Sequence, residues 1–167
     1  MKIIVEGAKG VGKTTLTNKL KDALDLEVIH SDAASENDME YHLRLLLDGK
    51  DTILERFHLG EIIYSIIYDR IPKIYLYQML GLHNITPGVH LVILWNSDID
   101  LLVERLRNRD DGRVVDDQVI IDAVNSNTYF KVIGDILKLE GDSVHLFDTA
   151  KLDVETEVFD KVMEIIK

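Results

Sequence analysis

The sequence predicts an α/β fold in which helices cover both faces of a parallel sheet. Short, uninterrupted apolar segments alternate along the whole chain with longer amphipathic segments, which is the order expected for strands joined by helical crossovers. The clearest strand, Leu91–Trp95, has no polar residue, as is typical of strands buried on both faces. We expect the 167 residues to form one domain, 1–167, with right-handed crossovers.

The elements follow from periodicity and from their end signals. The predicted strands are 2–5, 28–30, 52–56, 91–95 and 144–147. The predicted helices are 13–24, 39–47, 59–69, 73–81, 98–106, 118–140 and 154–166. Pro72 separates two of these helices, Asp98 is a suitable N-cap, and Gly141 ends the longest helix.

The composition excludes several classes of protein. The chain has 19 Lys and Arg against 30 Asp and Glu, a formal charge of -11, which disfavours duplex nucleic acid as a partner because binding to its backbone needs clustered cations. It has no cysteine, so disulfides and thiolate zinc sites are excluded. No basic leader or long apolar run is present, and we therefore expect a cytoplasmic protein without a membrane partner.

A phosphate-binding loop follows the first predicted strand. Residues 7–14 satisfy G-x-x-x-x-G-K-[ST], in which glycines let backbone N–H groups point at phosphate oxygens and the following helix contributes its positive end. Lys13 is expected to reach the β and γ phosphates of ATP, and Thr14 to hold Mg²⁺. The expected cofactor-binding residues in this loop are Gly7, Ala8, Lys9, Gly10, Val11, Gly12, Lys13, Thr14 and Thr15.

A charged pair, Glu55 and Arg56, ends the third predicted strand. Ligand groups gather at the carboxyl ends of the strands in a parallel sheet, where the phosphate loop also lies. The carboxylate could bind Mg²⁺ through water or accept a proton from a hydroxyl, and the arginine could grip an acceptor phosphate with two hydrogen bonds. An ion pair without a catalytic role is the alternative.

Four arginines follow the fourth strand: Arg105, Arg107, Arg109 and Arg113. The segment after Arg107 is polar and contains a turn around Gly112, and arginines on such a segment could neutralise charge on a transferring phosphoryl group. A solvent-facing helix end, with these arginines paired to nearby aspartates, is the competing interpretation.

The chain resembles the thymidylate kinase branch of the nucleoside and nucleotide kinases over most of its length. The resemblance rests on Glu6-Gly7 with the following loop, on Glu55-Arg56-Phe57 with Tyr64, on Asp98 with the arginines just named, and on residues 144–149. Three positions differ from that family's pattern: Lys9 replaces an Asp, Gly60 replaces a Ser, and Ser31-Asp32-Ala33 replaces an Arg-Glu-Pro-Gly segment.

The resemblance implies a three-layer P-loop fold with strand order 2-3-1-4-5, and by analogy a possible homodimer. It implies that Arg105 and Thr149 contact adenine. It also implies a short lid, about 107–117, in which Arg109 and Arg113 close over the phosphates as catalytic residues beside Lys13, Glu55 and Arg56. The expected acceptor-binding residues are Asp32, Glu55, Arg56, Tyr64 and Arg70.

The expected reaction is transfer of the γ-phosphoryl group of ATP to a deoxynucleoside monophosphate, with dTMP as the acceptor considered first. One alternative is a deoxynucleoside kinase that phosphorylates a 5′-hydroxyl with Glu55 as the base, since Glu55 resembles the Glu of the Glu-Arg-Ser motif of those enzymes. Two further alternatives are a nucleotide-binding regulator or ATPase without an acceptor and a polynucleotide 5′-kinase, which the negative charge disfavours.

Overall fold

The computed structural model describes residues 1–31, 39–108, 115–141 and 143–167, and for residues 82–85 and 140 the backbone alone. Its five strands form one parallel sheet in the order β2-β3-β1-β4-β5, which confirms the predicted fold class and strand order. The strands are β1 Lys2–Gly7, β2 Glu27–His30, β3 Thr52–Glu55, β4 Val89–Trp95 and β5 Val144–Asp148.

Helices connect the strands and follow the last one. They are α1 Lys13–Leu24, α2 Met39–Leu47, α3 His58–Ile67, α4 Leu76–Ile85, α5 Ile99–Arg107, α6 Asp117–Glu140 and α7 Phe159–Ile165. Among the described residues, no helix combines the length and the apolar character needed to cross a bilayer.

The fourth and the last helix differ in detail from the sequence prediction. Helix α4 begins at Leu76 rather than at 73, because the side-chain amide oxygen of Gln78 accepts a hydrogen bond of 2.8 Å from the backbone N–H of Tyr75 and so fixes the start of the helix. The predicted closing helix begins as a π-helical turn, Val154–Val158, and the side chain of Val154 packs against the phosphate loop at Gly12.

The central strand β1 sets the position of the site. Its residues Ile3, Ile4 and Val5 are fully buried, and it pairs with β3 on one side and β4 on the other. Val5 lies opposite Glu55 in the register. The loop after β1 and the charged end of β3 therefore meet at the carboxyl edge of the sheet, as the sequence predicted.

Candidate active site

The phosphate loop joins β1 to α1. At its first residue, Gly7, the backbone lies very close to the neighbouring strand β4. Gly7 has a φ of 147°, and a Cβ built on it would lie 2.3 Å from the backbone oxygen of Leu94 in β4. Any larger residue would collide with that backbone, so glycine is required at this position. Gly12 adopts the left-handed conformation, with a φ of 91°, directly before α1.

Within the loop, Lys13 is buried and its Nζ donates a hydrogen bond of 2.6 Å to the backbone oxygen of Ala8. The ammonium group therefore lies over the loop. The side chains of Ala8 and Val11 are fully buried, so these two predicted residues can offer a ligand only their backbone.

Glu55 lies beside the start of α1 and is 3% exposed. Its Oε1 accepts a hydrogen bond of 2.9 Å from the hydroxyl of Thr14, and its Oε2 accepts one of 2.9 Å from the hydroxyl of Thr17. The Nδ1 of His30, at the end of β2, lies 3.7 Å from Oε2. The carboxylate is thus held against the threonine expected to bind magnesium.

These residues fit a magnesium ion that is shared with a nucleotide. Mg²⁺ prefers oxygen ligands and in such sites takes one or two protein groups together with phosphate oxygens and water. The Thr14 hydroxyl and the Glu55 carboxylate supply adjacent oxygens of this kind. The described residues contain no group of three or more His, Cys, Asp or Glu that could hold a metal by itself.

Arg56 stands in a strained conformation at the end of β3. Its φ is 57°, uncommon for a residue other than glycine, and its backbone N–H donates a hydrogen bond of 3.2 Å to the oxygen of Val5 in β1. This turn directs the chain away from the sheet at the point where the side chain enters the site. Strain of this kind is found most often at functional positions.

Two cavities open on the carboxyl edge of the sheet. The smaller, about 360 Å³, lies over the phosphate loop and the start of α1 and is bounded by Asp153–Glu155. The larger, about 650 Å³, extends from Glu6 and Gly7 along α3 to the first turns of α6. Among the described residues, both cavities are lined by Lys9, Lys13 and Arg56.

The guanidinium group of Arg105 is fixed at the edge of the smaller cavity. Its Nη1 donates to the hydroxyl of Thr149 over 3.3 Å, and its Nη2 donates to the backbone oxygen of Thr149 over 3.0 Å. The structure thus brings together the two residues that were predicted to contact adenine. Thr149 follows β5 and is buried.

Glu6 is a functional candidate to which the sequence analysis gave no role. This buried residue of β1 accepts hydrogen bonds of 3.0, 3.0 and 3.1 Å at its Oε1 from the backbone N–H groups of Phe57, Leu59 and Gly60, at the start of α3. Burial raises the pKa of Glu6 to about 7, although these hydrogen bonds and the charge of Lys13 oppose the rise. A glutamate directly after the apolar run Ile3-Ile4-Val5 was the available signal.

Gly60 makes room for that carboxylate. A Cβ built on Gly60 would lie 3.2 Å from Oε2 of Glu6, closer than is comfortable in a packed interior. Glycine at this position therefore has a local explanation, because a larger residue would crowd Glu6 at the wall of the larger cavity.

The far end of the larger cavity is lined by aromatic and charged side chains. The rings of Tyr64 and Tyr68 lie nearly parallel, 6.0 Å apart between centroids, and Arg70 makes two hydrogen bonds to Glu61, of 2.6 and 2.9 Å. Arg70 lies beyond the end of α3, so it is not a helical residue. Asp122 of α6 completes this end.

Three predicted site residues, Asp32, Arg109 and Arg113, lie outside the described residues. Of the expected lid, 107–117, the structure gives the two ends: α5 ends at Arg107, and α6 begins at Asp117 with the side chain of Asp116 as its N-cap.

No family model matches the sequence, and no curated protein matches it significantly. Several solved structures do share its architecture. The YorR protein of Bacillus subtilis, in complex with phosphorylated GDP, has 18% sequence identity and a TM-score of 0.77 over 99% of this chain and 95% of that chain. Deoxyadenosine kinase from M. mycoides, with dCMP and dCDP bound, has 17% identity and a TM-score of 0.55 over 98% and 97% of the two chains.

A gluconokinase from Sinorhizobium meliloti 1021 is also similar, with 14% identity and a TM-score of 0.63 over 99% of this chain and 93% of that chain. At such low identities, these similarities establish the fold and leave the substrate open. The chain has the three-layer fold of the P-loop kinases.

Proposed function

We propose that the protein is an ATP-dependent kinase that transfers the γ-phosphoryl group to a deoxynucleoside monophosphate. The resemblance of the sequence to the thymidylate kinase branch makes dTMP the first acceptor to examine. The solved relatives in complex with phosphorylated GDP and with dCMP and dCDP support a nucleotide as the ligand of this fold.

One observation carries the proposal. Among the described residues, three side chains line both cavities, and all three are cationic: Lys9, Lys13 and Arg56. A phosphoryl group that passes from a donor in one cavity to an acceptor in the other would cross this boundary. Cations fixed there stabilise the charge that spreads over the phosphoryl oxygens in the transition state.

Each residue has a defined part in this mechanism. The loop amides and Lys13 hold the β and γ phosphates of ATP, and Arg56 orients the acceptor phosphate for in-line attack on the γ phosphorus. The acceptor oxygen forms the new P–O bond as the bond to ADP breaks. Thr14 and Glu55 would hold Mg²⁺, which neutralises phosphate charge when bound. Arg109 and Arg113 are proposed to close over the phosphates.

The charge of the larger cavity favours a monophosphate over a nucleoside. A monophosphate is already an anion at neutral pH and needs cations rather than a base. Lys9 stands at the boundary of the cavities in place of the acidic residue usual in thymidylate kinases. It therefore adds a positive charge at the point where the acceptor phosphate would lie.

A deoxynucleoside kinase remains the second candidate because of Glu6. Glu55 lies in the lining of neither cavity, and its two oxygens hold the hydroxyls of Thr14 and Thr17, so it is poorly placed to reach a hydroxyl in the larger cavity. Glu6 lines the larger cavity, and its pKa of about 7 suits proton transfer near neutral pH. In this alternative the base would therefore be Glu6 rather than Glu55.

An ATPase without an acceptor is less well supported. Such a protein would need the smaller cavity alone, whereas a second and larger cavity adjoins the phosphate loop. A polynucleotide 5′-kinase would additionally need a cationic path for the chain, which the net charge of -11 disfavours.

The test is a steady-state assay with ATP, Mg²⁺ and a panel of deoxynucleosides and their 5′-monophosphates, with products separated by chromatography. We expect ADP formation that depends on a monophosphate and yields the diphosphate. Turnover of nucleosides but not of monophosphates would establish the second candidate. Acceptor-independent hydrolysis, abolished in Lys13→Met, would establish an ATPase.

A further inference from the structure

We propose that the acceptor base is guanine, which Arg70 binds along one edge and Asp122 along another. This inference rests on the proposed function, since it assigns the base of the nucleotide in the larger cavity. It departs from the thymine that the sequence resemblance implies. Its basis is the arrangement of hydrogen-bonding groups at the end of that cavity, away from the phosphate loop.

Arg70 is held as a fixed donor. Its Nη1 and Nη2 donate to the two oxygens of Glu61 over 2.6 and 2.9 Å, and Oε1 of Glu61 also accepts a hydrogen bond of 3.1 Å from the backbone N–H of Lys73. Glu61 is buried. A guanidinium group has five N–H donors in a planar fork, so about three remain for a ligand that enters the cavity lined by Arg70.

Asp122 is held as a fixed acceptor nearby. The hydroxyl of Tyr68 donates to its Oδ2 over 3.1 Å, and the side-chain amide of Gln118 donates to its Oδ1 over 2.8 Å. Each carboxylate oxygen keeps a second lone pair. Asp122 and its partner Tyr68 line the same cavity as Arg70, so the donor and the acceptor face the same ligand space.

Guanine is the base whose edges match this pair. It presents two adjacent acceptors, O6 and N7, which arginine binds with two parallel hydrogen bonds. It also presents two adjacent donors, N1–H and the 2-amino group, which suit the two oxygens of a carboxylate. In thymine, adenine and cytosine only one nitrogen of the base carries N–H donors. A carboxylate therefore cannot bind these bases through two neighbouring nitrogens.

Aromatic side chains supply the remaining surface. Tyr64 and Tyr68 lie with nearly parallel rings on the wall that also carries Arg70 and Asp122. Burial, followed by the hydrogen bond to Asp122, raises the pKa of Tyr68 to about 12, so its hydroxyl stays protonated and keeps Asp122 in place. A planar base would thus meet both stacking surface and fixed polar groups.

The test compares five monophosphates, namely dGMP, dTMP, dAMP, dCMP and dIMP, together with 7-deaza-dGMP, by kcat/KM and by calorimetric binding. We expect dGMP to exceed dTMP, dAMP and dCMP by roughly 10- to 100-fold in kcat/KM. The analogue dIMP lacks the 2-amino group and 7-deaza-dGMP lacks N7, and each should lose about tenfold.

Two variants connect these losses to the proposed residues. In Asp122→Asn the kcat/KM ratio of dGMP to dIMP should fall to about one, while the ratio of dGMP to 7-deaza-dGMP should be unchanged. In Arg70→Lys the reverse should hold, because lysine cannot form the two parallel hydrogen bonds. Such ratios do not depend on the fraction of folded protein. The matched controls are Asp160→Asn and Arg44→Lys, at exposed positions of α7 and α2.

The outcomes separate this inference from the proposed function. Efficient turnover of dTMP, dAMP or dCMP with weak turnover of dGMP would overturn the guanine assignment and leave a monophosphate kinase. Unchanged ratios in both variants would overturn the roles of Arg70 and Asp122. Selective binding of dGMP, lost in the variants, without any phosphoryl transfer would support the assignment of the base and overturn the reaction.

Discussion

The two cavities of the site are built in different ways. The smaller is formed mainly by one short run of chain around the phosphate loop, where glycines and backbone N–H groups set the geometry. The larger collects side chains from α3, from the segment after it and from α6. Under the proposed function, phosphate recognition is encoded in a contiguous motif, whereas recognition of the acceptor depends on residues that only the fold brings together.

The largest effect is expected from Lys13→Met, which removes the buried ammonium group of the phosphate loop. We expect a loss of roughly 10³-fold in kcat with every acceptor, because a fixed charge on the transferring phosphate is lost. Steady-state kinetics would measure it, with Lys21→Met at the exposed end of α1 as the control. A loss of kcat with some acceptors only would contradict the assignment of the smaller cavity to the donor and the larger one to the acceptor.

Arg56→Ala should have the next largest effect, and it tests the boundary between the cavities. We expect a loss of about 10²-fold in kcat/KM for the acceptor, while the Kd for ATP changes by less than about threefold. Titration of ATP by calorimetry would measure the second quantity. An equal loss of ATP affinity would show that Arg56 serves the donor instead.

Glu55→Gln should raise the Mg²⁺ concentration required for half-maximal activity by about tenfold, because a neutral amide replaces the carboxylate beside Thr14. The comparison is a set of Mg²⁺ titrations at fixed ATP. The control is Glu27→Gln at an exposed position of β2. An unchanged Mg²⁺ requirement together with lost turnover would mean that Glu55 acts on the acceptor.

Of these variants, Glu6→Gln should have the smallest effect on the turnover of monophosphates. It should, however, change how the free energy of unfolding depends on pH. The pKa of Glu6 rises from 4.5 to about 7 on folding. The protonated carboxyl group therefore adds to the free energy of unfolding fully below pH 4.5, and this stabilisation is lost as the pH rises to 7. The free energy of unfolding of the variant, relative to the natural protein, should therefore increase by about 3 kcal/mol over that interval.

Urea denaturation at pH 4.5, 6 and 8 would measure this difference, again with Glu27→Gln as the control. A difference that does not vary with pH would contradict the raised pKa. Loss of nucleoside turnover by more than about 10³-fold would support Glu6 as the base of the alternative reaction.

The sequence predicted the fold well for a physical reason. The alternation of elements and the loop at 7–14 are local patterns. The strand order was an expectation from a family resemblance, and the sheet has that order. The start of α4 was misplaced because it depends on the side chain of Gln78 rather than on apolar periodicity.

Long-range contacts were beyond the reach of sequence reasoning. The contact of Glu6 with the start of α3 joins residues more than fifty positions apart, and the bond between Tyr68 and Asp122 spans 54 positions. No periodicity or motif links such pairs. Arg70 was proposed as a ligand contact without its partner Glu61, since their pairing depends on how the chain turns after α3.

The cationic boundary formed by Lys9, Lys13 and Arg56 has a consequence for protein engineering. Under the proposed function, the side chains at the far end of the larger cavity are separate from the loop proposed to receive ATP. A library restricted to Glu61, Tyr68, Arg70 and Asp122 would accordingly be a compact starting point for enzymes that phosphorylate synthetic nucleotide analogues.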